Sequence, residues 1–206
     1  MPQSENPAQD LYEQACRYLQ EDEVSYEKGF SLLKEAADLG HAKAQYNLGI
    51  CLQQGVGTKP SNEEAFRYFE LAAKQNHPRA YYMLGCYFAF GLLFPPDERQ
   101  ALYYFRLAAD AGVVDAEYNL AIFLMEGKGG PKSEKEAVRY FKLAADRGFA
   151  DAEYNLGICY YQGLGTPISR EESIRYLEMA VRHQHPKASQ ALEIVMLAAY
   201  SPQKSP

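Results

Sequence analysis

Apolar residues along this chain keep a helical beat. Over 42–55, Ala44, Leu48 and Leu52 stand four residues apart, so one stripe of a predicted helix is available for burial. The run then meets Gly55, Gly57 and Pro60, which stop it. A second run opens at Ser61, places Phe66, Phe69 and Ala73 on one face, and ends near Asn76. The opening serine is a cap signal, because its oxygen can accept from the free amides of the first turn while Glu64 answers it three residues on. The predicted unit is a pair of helices.

That unit recurs at a fixed interval of 36 residues. Ser25, Ser61, Asp97, Ser133 and Ser169 keep the interval, as do Ala44, Ala80, Ala116, Ala152 and Ala188, and Leu48, Leu84, Leu120, Leu156 and Leu192. Ser61 with Glu64, Asp97 with Gln100, Ser133 with Glu136 and Ser169 with Glu172 fit a capping box, whereas Ser25 with Lys28 does not. Second helices end near Gly112 and Gly148, with Asn76 and Gln184 at the same place in other copies. Gly49, Gly85, Ala121 and Gly157 follow the recurrent leucine and allow close helix approach. A fixed period of this length predicts an all-α solenoid of stacked helix pairs, read as one elongated domain. Its expected divisions are a disordered N-terminus over 1–7, a degenerate capping repeat over 8–41, and full repeats at 42–77, 78–113, 114–149 and 150–185. A C-terminal capping helix over 186–200 and a disordered tail over 201–206 complete the set.

A net charge of −6 and no Lys/Arg run longer than two residues argue against nucleic acid or an anionic membrane surface as partner. No stretch approaches the roughly 18 apolar residues of a membrane span, and the first ten residues do not resemble a secretory signal. Cys51 and Cys159 share a repeat position three copies apart, on the order of 30 Å in a stack and beyond the roughly 7 Å reach of a disulfide. Reduced thiols, in a cytoplasmic or other reducing compartment, are the expectation.

The segments AQYNLGICLQQGVGTKPSNEEAFRYFELAAKQNH and AEYNLGICYYQGLGTPISREESIRYLEMAVRHQH resemble Sel-1-like repeats, relatives of the tetratricopeptide repeat, over roughly residues 25 to 200. The resemblance implies a right-handed α/α superhelix with a concave groove lined by the first helices, and an adaptor role. By analogy with tetratricopeptide grooves, the inward positions are Tyr46, Ile50 and Gln53; Tyr82, Cys86 and Ala89; Tyr118, Ile122 and Met125; and Tyr154, Ile158 and Tyr161. Each trio falls on one helix face. Such a groove suits a peptide or amphipathic helix. The same tyrosines also fit a packing role between successive first helices. Asn47, Asn119 and Asn155 read as residues that satisfy backbone or inter-repeat bonds.

Repeat two departs from the pattern. Leu92, Leu93 and Phe94 stand where other copies have a small, polar loop, and either tuck against a neighbouring repeat or form an exposed patch. With Tyr81, Tyr87, Phe88 and Phe90 nearby, repeat two is the expected anchor for a partner. At the C-terminus Glu193 replaces the close-packing glycine, while Ile194, Val195, Met196 and Leu197 are continuous. That helix has one face for the last repeat and another open to a second copy or to further repeats.

No convergent catalytic or metal-binding set is expected. His41, His77 and His185 recur at inter-repeat turns a repeat or more apart, and the cysteines lie mid-helix away from them. Glu63, Glu64, Glu134, Glu136, Glu171 and Glu172 sit in first turns, where the helix dipole favours them. The paired cysteines in every repeat of a secreted, β-lactam-binding branch of the family are absent. The chain therefore reads as a non-enzymatic protein-binding scaffold without a cofactor, or alternatively as a self-assembling module acting through its end faces.

Overall fold

The computed structural model describes residues 6–20 and 23–197. The segments expected to be disordered at 1–5 and 201–206, and the last three residues expected in the capping helix, lie outside them. The described residues form eleven α-helices, one 3-10 turn at Glu23–Ser25 and no strand. In chain order these are α1 Pro7–Tyr18, α2 Tyr26–Asp38, α3 Ala42–Gln54, α4 Asn62–Lys74, α5 Pro78–Phe90 and α6 Glu98–Asp110, followed by α7 Val114–Glu126, α8 Glu134–Ala145, α9 Ala150–Gln162, α10 Arg170–Arg182 and α11 Ala188–Leu197. Pro7, placed by the sequence in a disordered N-terminus, is already the first residue of α1, whose cap is Asn6 accepting from the Gln9 amide at 3.2 Å.

Contacts group the chain into two compact units, through Ala108 and from Ala109. In the first unit α1 packs on α2, α3 on α4 and α5 on α6, with α2 against α3 and α4 against α5 joining the pairs. In the second, α7 packs on α8, α9 on α10 and α10 on α11, and α8 against α9 joins the pairs. The chain is therefore an all-α repeat solenoid by class, in which each pair buries its apolar stripe only against its neighbours.

The buried residues explain the register. Ala44, Leu48, Ala72 and Phe69 in the first unit, and Ala116, Leu120, Ala144 and Phe141 in the second, have at most 1% of their surface exposed. A methyl group added at Gly49 would sit 2.6 Å from the Phe69 ring, one at Gly85 2.6 Å from Phe105, and one at Gly157 2.8 Å from Leu177. Hydrogen at these three positions is what lets the second helix come so close.

Helix ends follow the turn chemistry. Gly55, Gly91, Gly127 and Gly163 end the first helices in the left-handed conformation. Asn76 and Gln184 adopt positive φ of 59° and 62°, so glutamine does make the fourth stop. Ser61 and Ser169 accept from the amides of Glu64 and Glu172, and Asp97 from those of Arg99 and Gln100. Ser133 departs from the expectation: it holds the cap position without a side-chain cap bond.

Candidate functional site

The first helices place each expected groove trio on one face, and all but one of those residues are half-buried. The exception is Cys86, which is only 9% exposed. The tyrosines are held by neighbouring rings. Tyr46 stacks on His77 at 4.7 Å, Tyr118 lies against Phe149 at 5.1 Å and Tyr154 stacks on His185 at 4.2 Å. Tyr12 repeats the arrangement with His41 in the capping repeat, at 4.7 Å. In each case the ring meets the residue at the turn into the following repeat. Asn47 donates to the Tyr12 hydroxyl at 3.2 Å and Asn155 to that of Tyr118 at 3.3 Å, so these asparagines tie one repeat to the next. Tyr46, Tyr82 and Tyr118 also face the phenylalanines of their own second helices, Phe69, Phe105 and Phe141.

The remaining members divide by unit. Ile50 packs against the first unit's core, and Gln53 bonds the Tyr87 hydroxyl, whose pKa burial pushes up to about 12. Ala89 is half-buried on α5, as are Ile122 and Met125 on α7. Tyr154, Ile158 and Tyr161 pack with Leu177, Ala191 and Val195 against the C-terminal helix.

His41 caps α3, its Nδ1 accepting from the Ala44 amide at 3.1 Å. Burial lowers the pKa of His41 and His77 below the ordinary imidazole value. The cysteines are thiols rather than disulfides. Burial pushes those of Cys51 and Cys159 up to about 11, which leaves them protonated at neutral pH. Among the described residues no group of His, Cys, Asp and Glu could hold a metal ion, and no helix is long and apolar enough to cross a membrane.

One repeated device escaped the sequence reading. Gln45, Glu117 and Glu153 share a repeat position and are almost completely buried. Each is met by a residue thirty positions later, at the end of the next second helix. Gln75 donates to Gln45 Oε1 at 2.8 Å and to the Gly40 carbonyl at 2.9 Å. Arg147 lies 3.2 Å from Glu117 and donates to the Gly112 carbonyl at 2.8 Å, while His183 Nδ1 lies 2.8 Å from Glu153. The signal was available as a polar residue after the recurrent alanine, matched at a spacing of thirty. It was hidden because both residues read as solvent-facing when each helix is considered alone.

Repeat two has Tyr81 and Ala111 at these two positions. Tyr81 turns instead to Asn76, its hydroxyl donating at 2.8 Å, and its ring faces Tyr104. Beside it Phe88 stacks on Tyr104 at 5.7 Å and on Phe94 at 6.3 Å, with Phe66 edge-on to both phenylalanines. The apolar loop splits between its two expected fates. Leu93 packs against the core, whereas Leu92 and Phe94 are 40% and 45% exposed, next to Phe90 at 67%. At the other end of the chain Val181, Ser189, Leu192, Glu193, Met196 and Leu197 line an apolar groove of about 400 Å³.

The sequence model of the Sel1 repeat family matches residues 18–41, 42–77, 78–113, 114–149 and 150–185. The chain belongs to the Sel1 repeat family, whose fold commonly mediates protein–protein interaction and generally serves as a non-catalytic scaffold. Among solved structures it is similar to a Sel1 repeat protein from Oxalobacter formigenes, with 26% identity, a TM-score of 0.80, and coverage of 97% of this chain and 90% of that one. It is also similar to c5321, a protective antigen of uropathogenic Escherichia coli displaying an SLR fold, at 22% identity and a TM-score of 0.87. That match covers 97% of this chain but only 43% of the E. coli protein, so this chain spans less than half its length. The immunity protein Pa5087 from Pseudomonas aeruginosa is similar at 18% identity and a TM-score of 0.56, over 98% of this chain and 82% of that one. No curated protein matches the chain in sequence.

Proposed function

We propose that this chain is a non-catalytic adaptor that holds a peptide or amphipathic helix of a partner protein, with repeat two as its anchor. The observation that carries the reading is the exposure of Phe90, Leu92 and Phe94 at one loop, beside a continuous stack of aromatic rings. The equivalent loops of other copies present Val56-Gly57-Thr58, Lys128-Gly129-Gly130 and Leu164-Gly165-Thr166, and Phe90 stands where they have Gln54, Glu126 and Gln162, so Phe90, Leu93 and Phe94 are particular to this repeat. Contiguous apolar surface of this kind marks contact sites in soluble proteins. The half-buried trios on the first helices extend the contact face, because a half-buried tyrosine still presents part of its ring. A non-enzymatic role agrees with thiols held protonated by burial and a histidine used as a cap. The four thiols also support a reducing compartment as the site of action.

Affinity capture on the immobilised chain tests this. Tyr82→Ala with Phe94→Ala, and separately Phe90→Ser with Leu92→Ser, are expected to reduce recovery of the wild-type partner at least several-fold while helicity is retained. Unchanged recovery from both variants rejects repeat two as anchor. A second reading, self-association through the C-terminal end, is favoured by the apolar groove and by exposed Ile194, Met196 and Leu197. Light scattering separates the two: a mass independent of concentration supports the adaptor, and a discrete oligomer supports self-association.

A further inference from the structure

Residues 67, 103, 139 and 175 share one position on the second helices, occupied by Arg67, Tyr103, Arg139 and Arg175. The next residue is always tyrosine: Tyr68, Tyr104, Tyr140 and Tyr176. In the later repeats the arginine lies over that ring, Arg139 Cζ at 4.1 Å from the Tyr140 centroid and Arg175 Cζ at 5.2 Å from Tyr176. In repeats two and four the ring also stacks on an aromatic side chain of the first helix, where repeats one and three have Leu52 and Leu124. Tyr176 stacks on Tyr160 at 5.7 Å and 3°, and Tyr104 on Phe88 at 5.7 Å and 2°. Repeat two thus keeps the tyrosine and its backing ring but exchanges the guanidinium for Tyr103, which is 57% exposed and stands edge-on to Tyr104 at 5.1 Å.

A cleft lies at this position. Tyr81, Tyr103 and Tyr104 line a cavity of about 450 Å³ over a floor of Ala73, Leu84 and Leu107. Tyr81 stands 6.5 Å from Tyr104 at 29°, the wide end of ring pairing. Its rim carries Glu70, Lys74 and Asn76, and Glu70 acts electrostatically on the Tyr104 hydroxyl. Tyrosine rings beside a carboxylate attract a cation, and a planar guanidinium stacks on such rings where an ammonium does not.

The geometry points to this cleft as the receptor for an arginine side chain of the partner protein, replacing in trans the guanidinium that repeats three and four supply in cis. The inference rests on the adaptor reading and adds the partner's chemistry to it. Lys74 also lines the rim; it stands one turn from Glu70 on α4 and opposes the incoming charge.

The test is NMR titration of the full chain, observing its tyrosine ring resonances, with the peptide acetyl-Gly-Arg-Gly-amide and its lysine, citrulline and tri-proline counterparts. The arginine peptide is expected to shift Tyr81, Tyr103 and Tyr104 with a dissociation constant on the order of millimolar. Lysine should bind several-fold more weakly, and the uncharged citrulline not measurably. Tyr103→Arg restores the arrangement of the sister repeats, and is expected to leave the melting temperature unchanged while abolishing the shifts. Glu70→Gln should weaken binding about fivefold, and Lys74→Ala should strengthen it. Equal shifts from citrulline, preference for the proline peptide, or binding that survives Tyr103→Arg would each overturn the proposal. Partner capture lost in the Phe90/Leu92 variant but intact in Tyr103→Arg leaves the adaptor standing and removes the arginine site; capture unaffected by either rejects repeat two as anchor and the arginine site with it.

Discussion

Glu153 and Tyr81 occupy the same position two repeats apart and are handled in opposite ways. Glu153 is fully buried and fastened by His183, whereas Tyr81 turns outward to Asn76 and lends its ring to an aromatic cleft. The backbone around them does not differ in kind. Ala80 and Ala152, Leu84 and Leu156, and Gly85 and Gly157 are matched pairs, all buried. Small and apolar register positions thus fix how two helices meet, while the position after the alanine is free to become either a polar fastening or a piece of surface. A repeat protein can acquire a recognition site in one copy without disturbing the stack.

The sharpest way to break this comparison is to overfill the register position in both regions. Gly85→Val and Gly157→Val each force a side chain into a space where even a methyl group meets Phe105 or Leu177 within 3 Å. Each is expected to cost about 3 kcal/mol, read as a shift in the denaturation midpoint. The two costs should be similar despite the different fastenings. A tolerated valine in repeat two alone would mean that its aromatic surface has loosened the packing as well.

The fastenings come next. Arg147→Ala leaves the Glu117 carboxylate buried with its ion-pair partner gone, and is expected to cost about 2 kcal/mol. Glu117→Gln with Arg147→Gln imports the neutral pair that Gln45 and Gln75 already form, and should fall within about 1 kcal/mol of wild type. Burial holds the Glu117 carboxyl above the ordinary carboxylate range, with Arg147 pulling the other way. The folded chain therefore binds that proton more tightly than the unfolded one. The wild type should gain on the double variant as pH falls from about 7 toward about 4, and lose that gain as pH rises again. A difference independent of pH would remove Glu117 as its source.

How much of this could be read from the sequence depends on whether a signal lies within one helix or between two. The helix pairs, their glycine stops and the close-packing glycines were legible because each is a local pattern repeated in register. Tyr46 and its equivalents were legible as a helix face, but their stacking on His77, Phe149 and His185 was not, since it joins a mid-helix residue to a turn about thirty residues later. The Glu117–Arg147 and Glu153–His183 fastenings were missed for the same reason. A charged residue beside an apolar stripe looks solvated until the neighbouring helix is in place. Leu93 gives the reverse lesson: an apolar residue where Gly57 and Gly165 turn with positive φ is resolved only by a loop that points it inward.

The smallest expected effect separates caps that look alike in the sequence. Ser61 and Ser169 each accept an amide hydrogen bond at 3.3 Å, the long end for such a bond, so Ser61→Ala and Ser169→Ala should cost somewhat under about 1 kcal/mol. Asp97 accepts two amides at 3.0 Å with a charged oxygen, and Asp97→Ala should cost more, about 1.5 kcal/mol. Ser133 makes no side-chain cap bond, so Ser133→Ala should stay within about 0.5 kcal/mol of wild type. Thermal denaturation of the four variants side by side checks the order. If Ser133→Ala costs as much as Ser61→Ala, the cap is formed in solution in both copies, and the repeats are more alike at this position than their geometry indicates.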